Sequence, residues 1–181
     1  MALISDIGAG IYTQLQYLTR TTDIDTAFNA VAAADTNTAA QTAYDVTDTG
    51  LKAEFTSQTT VGEIRDFPSF GTPANIVNVP NYGQSVSSQI QGQADAPTLE
   101  FTLNYTPDDH AALHDLAAAG TNLLFKMNIR NADTSTADNA AFFVQGRIAA
   151  VAVAPNLTDS NQATLTLLTT SDYVGPLDDN S

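Results

Sequence analysis

The side chains able to do chemistry are few, and their spacing suits little of it. His110 and His114 stand four residues apart. On a helix they would share one side, a geometry compatible with metal ligation. The Glu of an H-E-x-x-H pattern is missing and no third ligand is evident. Both histidines also flank an apolar stripe, so a packed structural role is expected. Gly8-Ala9-Gly10 opens a G-x-G-x-x-G, but Thr13 occupies the third glycine position and no βαβ unit surrounds it. Asp45-Val46-Thr47-Asp48-Thr49-Gly50 resembles part of a calcium loop, without the ligand spacing or the terminal Glu; it reads as a turn. Asn104-Tyr105-Thr106 and Asn156-Leu157-Thr158 match the glycosylation tripeptide. The opening residues Met1 to Asp6 show no secretory leader, so those tripeptides have no expected consequence. The three Glu are scattered and suggest no carboxylate pair. With no cysteine, disulfides, thiol catalysis and thiolate metal sites are excluded. The expectation is a non-enzymatic protein, with no catalytic, cofactor-binding or metal residue and no cofactor.

Charge narrows the partners. Twenty Asp and Glu face six Lys and Arg, for a net charge of −14. Seventeen of those acids are Asp, which favours turns and caps over strand interiors. Binding to DNA or RNA needs Lys and Arg to neutralise phosphates, and no basic patch exists here. Repulsion of DNA is compatible with this composition. No stretch approaches the length of a membrane span, so no membrane partner is expected.

The elements that must position these residues are mostly strands. Thr98 to Thr106 is the cleanest: Leu99, Phe101, Leu103 and Tyr105 share one face and Glu100, Thr102 and Asn104 the other. Strict alternation means one face buried and one wet. A helix is predicted over 106–119, with Thr106 as N-cap, Pro107 at N1, Asp109 completing a capping box and Gly120 as the stop. Ala112, Leu113, Leu116 and Ala117 form its apolar stripe. Further strands are expected at Val61–Phe67, Leu123–Arg130, Ala141–Val153 and Ala163–Thr170. In Leu123–Arg130 the odd positions should point inward and Lys126, Asn128 and Arg130 outward. Ala141–Val153 is apolar on both faces at its end, which requires cover either by the helix or by another subunit. The segment 68–97 is rich in Pro, Gly, Gln, Ser and Asn, with short strand candidates near Ile76–Val79 and Val86–Ile90. A connection that long is uncommon in a compact domain unless it has a role.

The chain thus divides into an N-terminal arm or insertion over 1–60, partly extended, whose Ala-, Thr- and Asp-rich segment 21–49 reads either as a surface loop or short helix or as an extension that orders on a neighbouring subunit; a β domain over 61–172 that includes the loop 68–97; and a loose tail over 173–181. The fold class is mainly β: an antiparallel β-sandwich or barrel-like domain with one short flanking helix and long assembly loops.

Gly62-Glu63-Ile64-Arg65-Asp66-Phe67, Ile76-Val77-Asn78-Val79-Pro80 and the run from Gln91-Gly92-Gln93-Ala94-Asp95 through Tyr105 carry a resemblance. In order and spacing they resemble the tail tube (major tail) proteins of long, non-contractile-tailed bacteriophages. The resemblance covers 60–130, and 140–170 loosely. It implies a subunit that forms hexameric rings stacked into a tube, through which DNA passes at ejection without stable binding. It implies further partners at the tail tip and a tail-terminator protein, with assembly in the host cytoplasm and a place in the virion tail. The candidates for a lumen-facing surface are Glu63, Glu100, Thr102 and Asn104. Those for an inter-ring or inter-subunit loop are Phe70, Ile76, Val79, Tyr82, Gln91 and Asp95. The alternatives are the tube protein of a contractile tail or secretion machine, and a virion surface or adhesin-like module. Six to eight strands cannot enclose a duplex alone, because a barrel leaves an aqueous channel only near 16–18 strands.

Overall fold

In the computed structural model the structure describes residues 13–71, 76–80, 82–83, 85–86, 88–92, 96–130 and 139–179. Ten strands and four helices lie among them: β1 (Gln14–Thr19), α1 (Thr22–Ala32), α2 (Asn37–Tyr44), α3 (Leu51–Glu54), β2 (Thr59–Val61), β3 (Ile64–Asp66), β4 (Ile76–Val79), β5 (Ser88–Gln91), β6 (Thr98–Asn104), α4 (Pro107–Ala119), β7 (Leu123–Arg130), β8 (Asn139–Ala154), β9 (Gln162–Thr169) and β10 (Val174–Asp178).

Eight strands form one antiparallel sheet in the order β2-β1-β7-β8-β9-β6-β3, with β10 also on β8. Its two ends, β2 and β3, are separated in sequence only by Gly62 and Glu63. The two edges must therefore meet, and the sheet curls into a nearly closed barrel. Inward-facing residues alternate along each strand, as the pleat requires. Leu15, Tyr17, Val61, Leu99, Phe101, Leu103, Leu123, Phe125, Met127, Val144, Ile148, Leu165 and Leu167 fill its interior, joined by Leu113 from α4. The mainly-β expectation holds, and the interior alternation of β6 and β7 is as the sequence implied.

Four differences from the sequence expectation have physical causes. Residues 14–55 are a strand and three packed helices, where an arm was expected. Ile24, Ala27, Phe28 and Val31 give α1 a buried stripe, and with Tyr44, Leu51 and Phe55 they pack on Leu124, Ala141 and Phe143. Thr21 and Thr36 cap α1 and α2 by accepting the amides of Ile24 and Ala39. The second difference follows from this helical layer. Lys126 and Asn128 are buried, at 5% and 6% exposure, because their face of β7 lies under it. Third, the tail is ordered from Val174 to Asp178 as β10, with Leu177 fully buried. Its register sets Val174 opposite Phe143 and Leu177 opposite Ala141. Fourth, Val61–Phe67 is two short strands, interrupted where Glu63 takes a left-handed backbone (φ 56°).

The helix over 106–119 is present, with Gly120 in the left-handed conformation (φ 62°) that ends it. Its capping box does not form. Thr106 makes no side-chain cap; the amide of Thr106 instead donates to His110 Nδ1 at 3.1 Å. His110 is 1% exposed, and its Nε2 lies 3.3 Å from the carbonyl of Gly62. The histidine thus ties α4 to the seam between β2 and β3. His114 meets the Tyr105 hydroxyl at 3.2 Å. Both histidines thus make hydrogen bonds within the chain, and no group of three His, Asp or Glu able to hold a metal exists among the described residues.

Candidate assembly surfaces

Three features remain once the fold is accounted for. The first is a bare sheet face. Opposite the barrel interior, β6 presents Thr98, Glu100, Thr102 and Asn104, and β9 presents Gln162, Thr164, Thr166 and Leu168. Register pairs Glu100 with Thr166, Thr102 with Thr164 and Asn104 with Gln162. The row continues onto β8, where Ala150, Ala152 and Ala154 oppose Thr166, Thr164 and Gln162, and onto β3, where Asp66 opposes Thr102. The result is a four-stranded surface of mostly small, uncharged side chains with two acids, Glu100 and Asp66, and with the exposed Arg147 opposite Leu168 at one end. Among the described residues, no strand pairs with the second edge of Ala150–Ala154. That edge is short, apolar and exposed, and carries no Lys, the kind of edge that templates pairing with another chain.

The structure brings Glu100, Thr102 and Asn104 together on this face. Glu63 lies off the strands, in the β2–β3 turn, where its carbonyl accepts the amide of Asn104 at 2.8 Å. Arg65, on β3, reaches Asp159 at 3.6 Å, an exposed pair.

The second feature is a separate two-stranded hairpin, β4–β5, which pairs Ile76 with Gln91 and Val79 with Ser88. It leaves Ile76 59% exposed, Val77 44% and Ile90 54%, while Tyr82 and Val86 in the connection are more exposed still. Adjacent residues on a strand point to opposite faces, so Val77, Val79 and Ile90 share one largely apolar face, and Ile76 lies on the other with Asn78 and Gln89. A lone two-stranded hairpin is marginal in water. Of the loop candidates, Ile76, Val79, Tyr82 and Gln91 belong to this unit, with Val79 half-buried. Asp95 lies outside the described residues. Phe70 does not belong to it: its ring packs on Phe142 at 5.1 Å and on Tyr173 at 5.8 Å, within the same chain.

The third feature, invisible in the sequence, is a buried polar cluster under the helical layer. Lys126 Nζ sits 2.6 Å from Asp179 Oδ2. Tyr44 donates to Asp179 Oδ1, and Asn128 Nδ2 donates to Oδ2 at 3.2 Å. Gln41 clamps the neighbouring backbone both ways, donating to the Asp178 carbonyl at 2.9 Å and accepting its amide at 2.7 Å. Burial holds the Lys126 ammonium below the ordinary lysine range, an effect Asp179 opposes without cancelling. Burial, then the Asp179 charge, pushes the Tyr44 hydroxyl well above the ordinary tyrosine range, so it stays protonated. The signal for this site was one lysine in β7 whose face the helices happen to cover.

No family model matches the chain, and no curated protein matches it. Among solved structures it is similar to a chain of the "Cryo-EM structure of the anti-feeding prophage (AFP) baseplate, 6-fold symmetrised". The TM-score is 0.55 at 7% identity, over 97% of this chain and 98% of that one. At this identity the likeness concerns the fold, and it extends over nearly the whole of both chains. No helix among the described residues is long and apolar enough to cross a membrane.

Proposed function

We propose that this chain is a non-enzymatic structural subunit of a phage-type tail tube, closing into six-membered rings that stack into a hollow conduit for DNA. The observation that carries this reading is the β4–β5 hairpin, whose Ile76, Val77 and Ile90 are exposed on a molecule with an otherwise complete core. A hairpin with an exposed apolar face is stable when a neighbouring copy covers it, and exposed apolar patches of this kind mark assembly surfaces. The resemblance of 60–130 to tail tube proteins and a fold shared with a chain of a six-fold symmetrised prophage baseplate support the same reading.

In this reading the face bearing Glu100, Thr102 and Asn104 lines the lumen. Six copies of a four-stranded face exceed the about 16–18 strands at which a barrel leaves an aqueous channel. The open edge of Ala150–Ala154 is where one copy's sheet meets the next, since ring closure turns an exposed edge into an interface. A lumen dominated by Thr, Asn and two acids, with Arg147 opposite Leu168 at one end, offers phosphates few cations, and a chain of net charge −14 repels DNA in transit. Tail-tip and terminator proteins would then cap the tube.

The baseplate likeness favours a second reading, a ring component of a contractile tail or secretion machine. Co-assembly with a sheath protein separates it from the first. Negative-stain microscopy of the concentrated protein tests both. Hollow tubes or six-membered rings are expected. Discrete monomers or trimers that persist with a tail-tip seed present would overturn both and favour a surface module.

A further inference from the structure

The Lys126–Asp179 cluster plays no part in the assembly reading, and it is a buried ion pair held on several sides. The two side chains are 7% and 12% exposed and 2.6 Å apart. The rings of Phe55 and Phe143 stand 5.5 and 5.8 Å from the ammonium, so the pair sits against aromatic walls. Tyr44 and Asn128 hold the carboxylate by both oxygens. Partners fixed in this way cannot exchange as a surface pair does.

A buried ion pair is costly to keep charged. Shifting one proton from the ammonium to the carboxylate gives a neutral amine beside a carboxylic acid, and the depressed basicity of Lys126 favours that form. A desolvated neutral lysine is a nucleophile. With Nζ 2.6 Å from Oδ2, it stands beside the carbon it would attack and needs only to move out of the carboxyl plane. The Tyr44 hydroxyl donates to Oδ1, where negative charge develops as the nitrogen adds.

We propose that Lys126 and Asp179 condense into an intramolecular isopeptide bond, with Tyr44 stabilising the oxyanion and Asn128 positioning the carboxyl. Lys126 Nζ bonds to Asp179 Cγ and the Cγ–Oδ2 bond breaks. Oδ2 leaves as water with two of the three ammonium protons; the third stays on the amide nitrogen. No oxidant, metal or further reactant is needed. The bond ties β7 to the residue after β10 and closes the chain between them into a covalent loop. Such a loop restricts the unfolded chain as a disulfide does, in a protein that has no cysteine.

The test is the mass of the full wild-type chain, purified folded and then measured under denaturing conditions. The expected mass is one water below that of the sequence. Tandem spectra of a digest should show the Lys126 peptide joined to the Asp179 peptide. Lys126→Arg and Asp179→Ala should each return the full sequence mass, and Tyr44→Phe should give a mixture at early times. A wild-type chain at the full sequence mass overturns the proposal. So does a water loss that maps to a succinimide elsewhere, with the two peptides unlinked. Because the deciding measurement is on the wild type, a variant that fails to fold does not blunt it, and neither result depends on whether tubes form.

Discussion

Two regions of one sheet differ sharply. Around β7 and the first half of β8, both faces are covered: the barrel interior lies on one side and α1–α3 on the other. β7 runs buried through six consecutive residues. Around β6, β9 and the second half of β8, one face is covered and the other bears mostly Thr, Ala, Asn and Gln, with two acids and, at one end, Leu168 and Arg147. Within β8 the change falls at Gly146, where a Cβ would come 2.4 Å from the Leu168 carbonyl. The close approach of β8 and β9 there demands glycine. Beyond Ile148 the strand's outward residues are exposed. The covered region can be judged by stability in isolation, whereas the bare region makes sense only with neighbours.

That contrast is open to breaking. The largest loss of stability is expected from Phe143→Ala, which removes a fully buried ring packed on Tyr44 and Phe55. It should cost about 3–5 kcal/mol, read as a lower urea midpoint. Asp179→Ala leaves Lys126 buried without its partner and removes any link between them, and should cost at least about 3 kcal/mol, read in the same way. A gentler probe is alkaline pH. Burial raises the hydroxyls of Tyr17, Tyr44 and Tyr173 above 10.0, that of Tyr173 to about 12. Between those values the unfolded chain has released protons that the folded chain retains. Stability should therefore fall as pH rises from 10.0 toward about 12, with the urea midpoint moving down across that window. The smallest effect on stability is expected from Ile76→Ser combined with Ile90→Ser in the hairpin, within about 0.5 kcal/mol. The same pair should abolish rings and tubes under the microscope. If it instead lowers the urea midpoint as Phe143→Ala does, the hairpin belongs to the monomer's core and the contrast fails.

What was legible in the sequence tracks this division. β6 was readable because its environment is two-sided, so Leu99, Phe101 and Leu103 alternate cleanly with polar residues. α4 was readable from Pro107 and Gly120, although His110 replaced the expected cap. α1 left a fainter signal: Thr21 as cap, Asp23 and Asp25 in its first turn, and Ile24, Ala27, Phe28 and Val31 at helical spacing. The surrounding Ala and Thr disguised it as an arm. The face of Lys126 and Asn128 could not be read at all. Alternation marks two faces but does not say that a distant helical layer covers the polar one. The tail misled for the same reason, since β10 gains its order from β8 and Gln41, both far away in sequence. Among the assembly candidates, Glu100, Thr102 and Asn104 share one face, while Phe70 turned inward because Phe142 and Tyr173 wait for it.

The pairing of β1 with β7 bears on how the protein is made. Leu15 and Tyr17 have their partners at Met127 and Phe125. A ribosome adding about 5–20 residues per second needs roughly 5–20 s to travel from β1 to β7. For that interval the first strand has no ladder to join on that side, and α1–α3 have no sheet to lie on. Nascent chains halted before residue 123 should therefore be sticky and captured by chaperones, whereas those released after β10 should not.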